Sequence, residues 1–309
     1  MRWSAVLLGL LASACDARTP FGAPAAIDDA GRDASAPEAS ARGTRPTFSD
    51  RDIDVRRRVE TARAEFGGEV RIDIERDAFV FIGPPPSPLF DAAVGLARKA
   101  LDAYFNGRFA KAPDRAVAVY LFSSTAPYDG YCSKRFGSSC QASSGRYRGA
   151  SQEIILDASS GLKTLTRELV QPIVHTDFPL APAWLDECLG ALYENPTFPR
   201  PGDIQGATNW RHERLARAPA SKVERPSAPL ADLFATNDSG FRGDGEDLHS
   251  STAHCVCQWL DERGELWPFY QAWRDNVSDD PTGAAAFARV VGKTPAQANA
   301  GWVKWLRER

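Results

Sequence analysis

The apolar positions change period partway along the chain, from alternation and short solid runs to helical spacing. Ser49 and Asp50 mark a helix start, with Ile53, Val55, Val59 and Ala62 as its apolar positions. Residues 69–74 alternate and residues 78–82 run apolar, which predicts two strands. Gly83-Pro84-Pro85-Pro86 then breaks the pattern. Phe90, Ala93, Leu96, Ala97, Ala100, Leu101 and Tyr104 fall on one helical face and predict a helix over 89–105. The Val- and Leu-rich run 116–122 predicts a buried strand, and 147–156 another, ending at Asp157. Beyond it the spacing predicts helices over 160–175, 182–193, 250–262, 266–274, 284–291 and 295–307. Strands first and helices after predict an α+β fold, a small mixed or antiparallel sheet followed by a mainly helical half.

Two earlier segments do not fit a packed domain. Arg2, the apolar run from Ala5 to Leu11 and the small residues Ala12-Ser13-Ala14 before Cys15 have the form of an export signal over residues 1–14. The pattern resembles a bacterial lipobox, with Ala12 where leucine is usual, and implies a lipid on Cys15. Residues 15–48 are rich in Ala, Pro, Asp, Ser, Gly and Arg and nearly free of large apolar side chains, which predicts a disordered tether. The folded domain is then expected over 49–309. The expected location is the cell envelope, as a membrane-anchored lipoprotein on the periplasmic or outer face.

Composition narrows the function classes. A net charge of -3 gives no support for nucleic-acid binding, which calls for a basic face, and no nucleic-acid partner is expected. After Cys15, five cysteines remain. Cys132 and Cys140 flank a Ser/Gly/basic loop over 133–139 and are expected to close it as a disulfide. Cys188 can pair with Cys255 or Cys257, which leaves one thiol free. No C-x-x-C pair is present, and Cys255-Val256-Cys257 is spaced wrongly for a structural zinc site. Trp184, Trp259, Trp267, Trp302 and Trp305 sit at helical spacings and read as core.

The chemistry concentrates in Thr164-Leu165-Thr166-Arg167-Glu168-Leu169-Val170-Gln171-Pro172-Ile173-Val174-His175 and in Pro182-Ala183-Trp184-Leu185-Asp186-Glu187-Cys188, which runs on to Glu194. These two stretches resemble the active-site helices of gluzincin zinc metallopeptidases, the peptidase MA-like family. That family carries H-E-x-x-H on one helix and a Trp-Leu-x-Glu motif on the next. Two histidines at i and i+4 share a helix face. A later glutamate completes the zinc site, and the glutamate beside the first histidine activates water. By this resemblance Glu168 occupies the general-base position and Glu187 the third-ligand position. Arg167 and Gln171 stand where the histidines belong, and Cys188 replaces a glycine.

A guanidinium has no lone pair for a metal. The resemblance therefore implies a degenerate peptidase with no metal cofactor, in which Arg167 pairs with Glu187 and leaves no carboxylate uncompensated. Pro172 removes a helical hydrogen bond and is expected to kink its helix. The implied function is a non-catalytic module at the cell envelope. It would bind a peptide, protein or envelope component in a cleft of Arg167, Gln171, His175, Trp184 and Glu187. The alternative is an active metal-dependent hydrolase with zinc held by Glu168, His175 and Glu187. No G-x-S-x-G elbow points to a serine hydrolase.

Overall fold

The computed structural model describes residues 49–217, 229–243 and 246–309. The expected signal peptide, Cys15 and the tether lie outside the described residues. The described chain is mixed α and β, with a five-stranded mixed sheet and twelve α-helices among the described residues.

Helix α1 (Asp50–Phe66) starts where a reciprocal capping box forms between Ser49 and Asp52. Strands β1 (Arg71–Glu75) and β2 (Phe79–Gly83) form an antiparallel hairpin. Its turn places Arg76 and Asp77 at φ of 53° and 50°, a left-handed conformation taken without glycine. Helix α2 (Phe90–Tyr104) leads to β3 (Val117–Phe122), which pairs parallel to β2. Helix α3 (Thr125–Phe136), not expected from the sequence, follows, and its last turn enters the 133–139 stretch read as a loop. The single strand expected over 147–156 is instead a hairpin of β4 (Gly145–Arg148) and β5 (Glu153–Asp157), turning through Gln152 at φ 53°. The strand order is β1-β2-β3-β5-β4, with parallel strands at the centre and antiparallel ones at both edges.

Side chains alternate between the two faces of the sheet, and each face is covered. Val80, Ile82, Ala118, Tyr120, Phe122 and Ile155 pack with Ala62 of α1 and with Tyr128 and Tyr131 of α3. Ile53, expected on the buried face of α1, is instead 55% exposed, and Val55, Val59 and Phe66 pack inward. Phe79, Phe81, Val119, Leu121, Ile154 and Leu156 pack into the larger core. Strands β2, β3 and β5 are buried throughout, which explains their solid apolar runs.

The helical half begins with α4 (Lys163–Asp177) and α5 (Ala183–Leu192). The short helices α6 (Trp210–Ala216), α7 (Pro229–Ala235) and α8 (Asp238–Phe241) follow, none of them expected from the sequence. Helices α9 (Glu246–Glu262), α10 (Leu266–Arg274), α11 (Ala284–Val291) and α12 (Pro295–Arg307) complete it. None of the described helices is long and apolar enough to cross a membrane. Cys132 pairs with Cys140, as expected, at a Cα separation of 5.9 Å. Cys188 of α5 pairs with Cys257 of α9 at 5.7 Å, which leaves Cys255 as a buried free thiol.

Candidate functional site

Helix α4 is amphipathic. Leu165, Leu169, Val170, Ile173 and Val174 are fully buried in the larger core, while Arg167 and Gln171 face a polar cleft. Pro172 lies inside α4, which runs on to Asp177 as one helix. Helix α5 crosses it, its first backbone N–H donating to Asp238 of α8 at 2.8 Å. The Cys188–Cys257 bridge fixes α5 to α9 one residue beyond Glu187. Three elements therefore meet at Glu187.

Arg167 Nη2 donates to Glu187 Oε2 at 2.5 Å, so the expected ion pair is present. Its Nε lies 3.4 Å from Glu168, and its Nη1 lies 4.0 Å from Glu194. The other oxygen of Glu187 accepts from Ser250 of α9 at 2.6 Å and lies 3.4 Å from Arg211 of α6. Arg211 also pairs with Glu194, and its Nε donates to Ser250 at 3.3 Å. Two guanidiniums and two carboxylates thus close a cycle behind the cleft. Each charge has a counter-charge, as a poorly hydrated cluster requires.

The protonation states follow from these neighbours. Burial pushes the Glu187 carboxyl up, but Arg167, the Ser250 hydroxyl and Arg211 outweigh it and hold the group below its usual range. Burial also opposes the charge on Arg167, and the surrounding glutamates more than offset that cost. For Glu168 burial prevails, and its pKa is raised despite Arg167 and a hydrogen bond from the Tyr147 backbone N–H at 2.7 Å. Glu168 is therefore a carboxyl held towards its neutral form and tied to the sheet.

The cleft has a volume of about 340 Å³. Arg167 and Glu187 stand at its inner end, Gln171, Asp186 and Arg242 line it, and Trp210, Arg211 and Glu246 line it as well. Trp210 is 52% exposed, and the Arg211 guanidinium lies over its ring at 4.5 Å. On α9, His254 is fully buried, and neither ring nitrogen has a hydrogen-bond partner among the described residues. Burial, reinforced by Arg211, pushes its pKa down to about 3, so the imidazole is neutral.

Three of the residues expected in the cleft are there: Arg167, Gln171 and Glu187. Two are elsewhere. Trp184 is 1% exposed and stacks on Trp273 at 5.5 Å within the core. His175 packs on the Tyr147 ring at 5.5 Å, and its Nε2 faces Asp186 at 3.5 Å. That carboxylate raises the His175 pKa. Sequence reading did not single out Trp210, Arg211, Ser250 or Arg242. The first two ride on a seven-residue helix whose only sequence signal is the Asn209 cap, which accepts from the Arg211 backbone. Glu194 closes the second motif and was visible there.

The residues present do not fit zinc. The Arg167 guanidinium offers no lone pair to a metal. Both oxygens of Glu187 are engaged, and Glu168 is tied to Tyr147 and Arg167. His175 is directed to Asp186. Among the described residues no group of three or more His, Cys, Asp or Glu is placed to hold a metal ion. No family model matches this chain, and no curated protein matches it.

Proposed function

We propose that residues 49–309 form a gluzincin-like peptidase domain of the peptidase MA-like type that has exchanged its metal for an ion pair. On this reading it serves as a non-catalytic binding module for a peptide, protein or envelope component. The observation that carries the reading is the Arg167–Glu187 contact at 2.5 Å. It joins the first-histidine position to the third-ligand position, the two places a zinc ion would bridge. The exposed Trp210 and the polar lining leave a cleft suited to recognition.

The proposed setting is the cell envelope, with the domain tethered to a lipid on Cys15. The two disulfides support an oxidising compartment. Mass spectrometry of the mature N-terminus tests the anchor, and an unmodified Cys15 would remove it.

Elemental analysis of the purified full chain tests the loss of metal. The expected result is no stoichiometric zinc; one zinc per chain would overturn the reading in favour of a site rebuilt from Glu168, His175 and Glu187. A screen of peptides and envelope fragments for binding, repeated with Trp210→Ala, tests the module itself. A ligand whose binding is lost in that variant supports it, and the absence of any ligand sinks it.

A further inference from the structure

The cleft is lined by a cluster of charges paired with one another and by groups that lack such partners. Its inner end is closed by Arg167, Glu187, Ser250 and Arg211, all engaged with one another. Three other lining side chains have no partner among the described residues, namely the Arg242 guanidinium, the Gln171 amide and the Glu246 carboxylate, and one oxygen of the Asp186 carboxylate, Oδ1, has none there either. Arg242 follows α8, Gln171 lies on α4, and Glu246 opens α9. Free donors from two elements and a free acceptor from a third thus line one cavity beside an exposed indole.

The nearby sheet edge rules out one way of reading a polypeptide. Asp157 N donates to Ser144 O at 2.8 Å, which sets the alternation of the β4–β5 ladder. The backbone groups of Ser144, Arg146 and Arg148 face β5, and those of Gly145 and Tyr147 point to the open edge. That edge is already occupied. The Tyr147 N–H donates to Glu168 at 2.7 Å, and the Gly145 carbonyl accepts from the Ser143 hydroxyl at 2.9 Å. An incoming strand finds no free N–H at the middle of β4, so an extended backbone is not recognised there by strand addition.

We infer that the cleft takes a short free peptide, recognised by its two charged ends. Its carboxylate meets Arg242 and Gln171, its ammonium meets Glu246, and its body packs on Trp210. A guanidinium and an amide are the donors a terminal carboxylate needs, and a hydrogen bond between charged groups is stronger than a neutral one. The inference rests on the binding-module reading and names the ligand class for it.

The test uses the full chain and four forms of tri-alanine: free, N-acetylated, C-amidated and doubly capped. Binding is followed by the Trp210 indole resonance, assigned by its loss in Trp210→Phe. The free peptide is expected to shift that resonance, and each cap to weaken binding about tenfold or more. Arg242 is exposed, so Arg242→Ala folds normally; it is expected to weaken the free peptide without further weakening the C-amidated one. Equal binding of the doubly capped and free peptides overturns the inference. So does an unchanged affinity in Arg242→Ala, or no shift with any form. The screen under Proposed function separates the two failures. An envelope ligand lost with Trp210→Ala, together with silent tri-alanine, sinks the inference alone; no ligand in either experiment sinks the reading as well.

Discussion

The Arg167 guanidinium donates to Glu187 across the α4–α5 crossing at 2.5 Å, with the two side chains 15% and 20% exposed. The contact is poorly hydrated but not isolated, because Arg211 and Ser250 hold the other carboxylate oxygen. Removing one partner leaves a charge with less compensation than it had on folding.

Arg167→Ala is accordingly expected to cost about 2–3 kcal/mol, less than a fully buried unpaired charge would, since Arg211 remains. Urea unfolding should show a lower midpoint at unchanged slope. The double variant Arg167→Met, Glu187→Leu should recover part of the loss, because apolar packing replaces both charges at once. A single variant as stable as the parent would mean that the pair contributes nothing.

The family reading makes a sharper demand. If Arg167 and Gln171 occupy inherited histidine positions, then Arg167→His with Gln171→His rebuilds two imidazoles one turn apart, facing Glu187. The double variant is expected to bind one zinc per chain, and the parent none, by elemental analysis after dialysis. No zinc in a folded double variant would argue that α4 and α5 only resemble a zinc peptidase.

The half-buried Asp261 and the buried His254 give opposite acid responses. Burial pushes Asp261 up to about 6, against hydrogen bonding from Gly206 and the charge of Arg108. The folded state then binds the extra proton between its ordinary value near 3.8 and about 6, so stability falls as pH rises through that window. His254 is pushed down to about 3, so below about 6.5 the unfolded state takes up the proton first, and stability falls as pH falls. Near pH 4–6 the two slopes oppose each other. Asp261→Asn should leave the His254 slope exposed, and stability should drop more steeply on acidification. His254→Gln should do the reverse, with stability rising as pH falls. Denaturation midpoints at several pH values measure both, and parallel curves in all three proteins would rule the assignment out.

Parts of this fold were legible because local signals were strong. Helices α11 and α12 match their expected bounds, with Gly283 and Gly292 bracketing one and a Thr294–Gln297 capping box opening the other. The solid apolar runs of β2 and β3 were legible for the same reason. The turns at Arg76–Asp77 and Gln152 were not, since left-handed residues other than glycine leave no clear mark in sequence. The Arg167–Glu187 pair followed from the family resemblance, which set the two residues at neighbouring positions of one site, and from their opposite charges. The rest of the site did not, because Trp210, Arg211 and Arg242 arrive on short polar elements without periodicity. Trp184 carried two readings: its helical spacing read as core, which its 1% exposure bears out, while its motif position suggested the cleft. Trp184→Ala would cost about 3–5 kcal/mol as a core truncation and would report on packing, not on ligand binding.

The cysteine arrangement supplies the last expectation. The Cys188–Cys257 bridge spans a sequence separation of 69 and ties α5 to α9 beside Glu187. Closing so long a loop restricts the unfolded chain, so Cys188→Ala with Cys257→Ala should cost about 2–4 kcal/mol. The Cys132–Cys140 loop, with a separation of 8, should contribute less. Cys255 is fully buried, and burial pushes its thiol up to about 12, so it should resist alkylation in the native protein. Labelling with iodoacetamide before and after unfolding without reductant, followed by peptide mapping, reads all of this. Cys255 should label only after unfolding, and Cys188 and Cys257 should appear as one linked pair. Native labelling of Cys255, or a Cys188–Cys255 linkage, would show that α9 presents a different face to α5 and would move Glu187 away from Ser250.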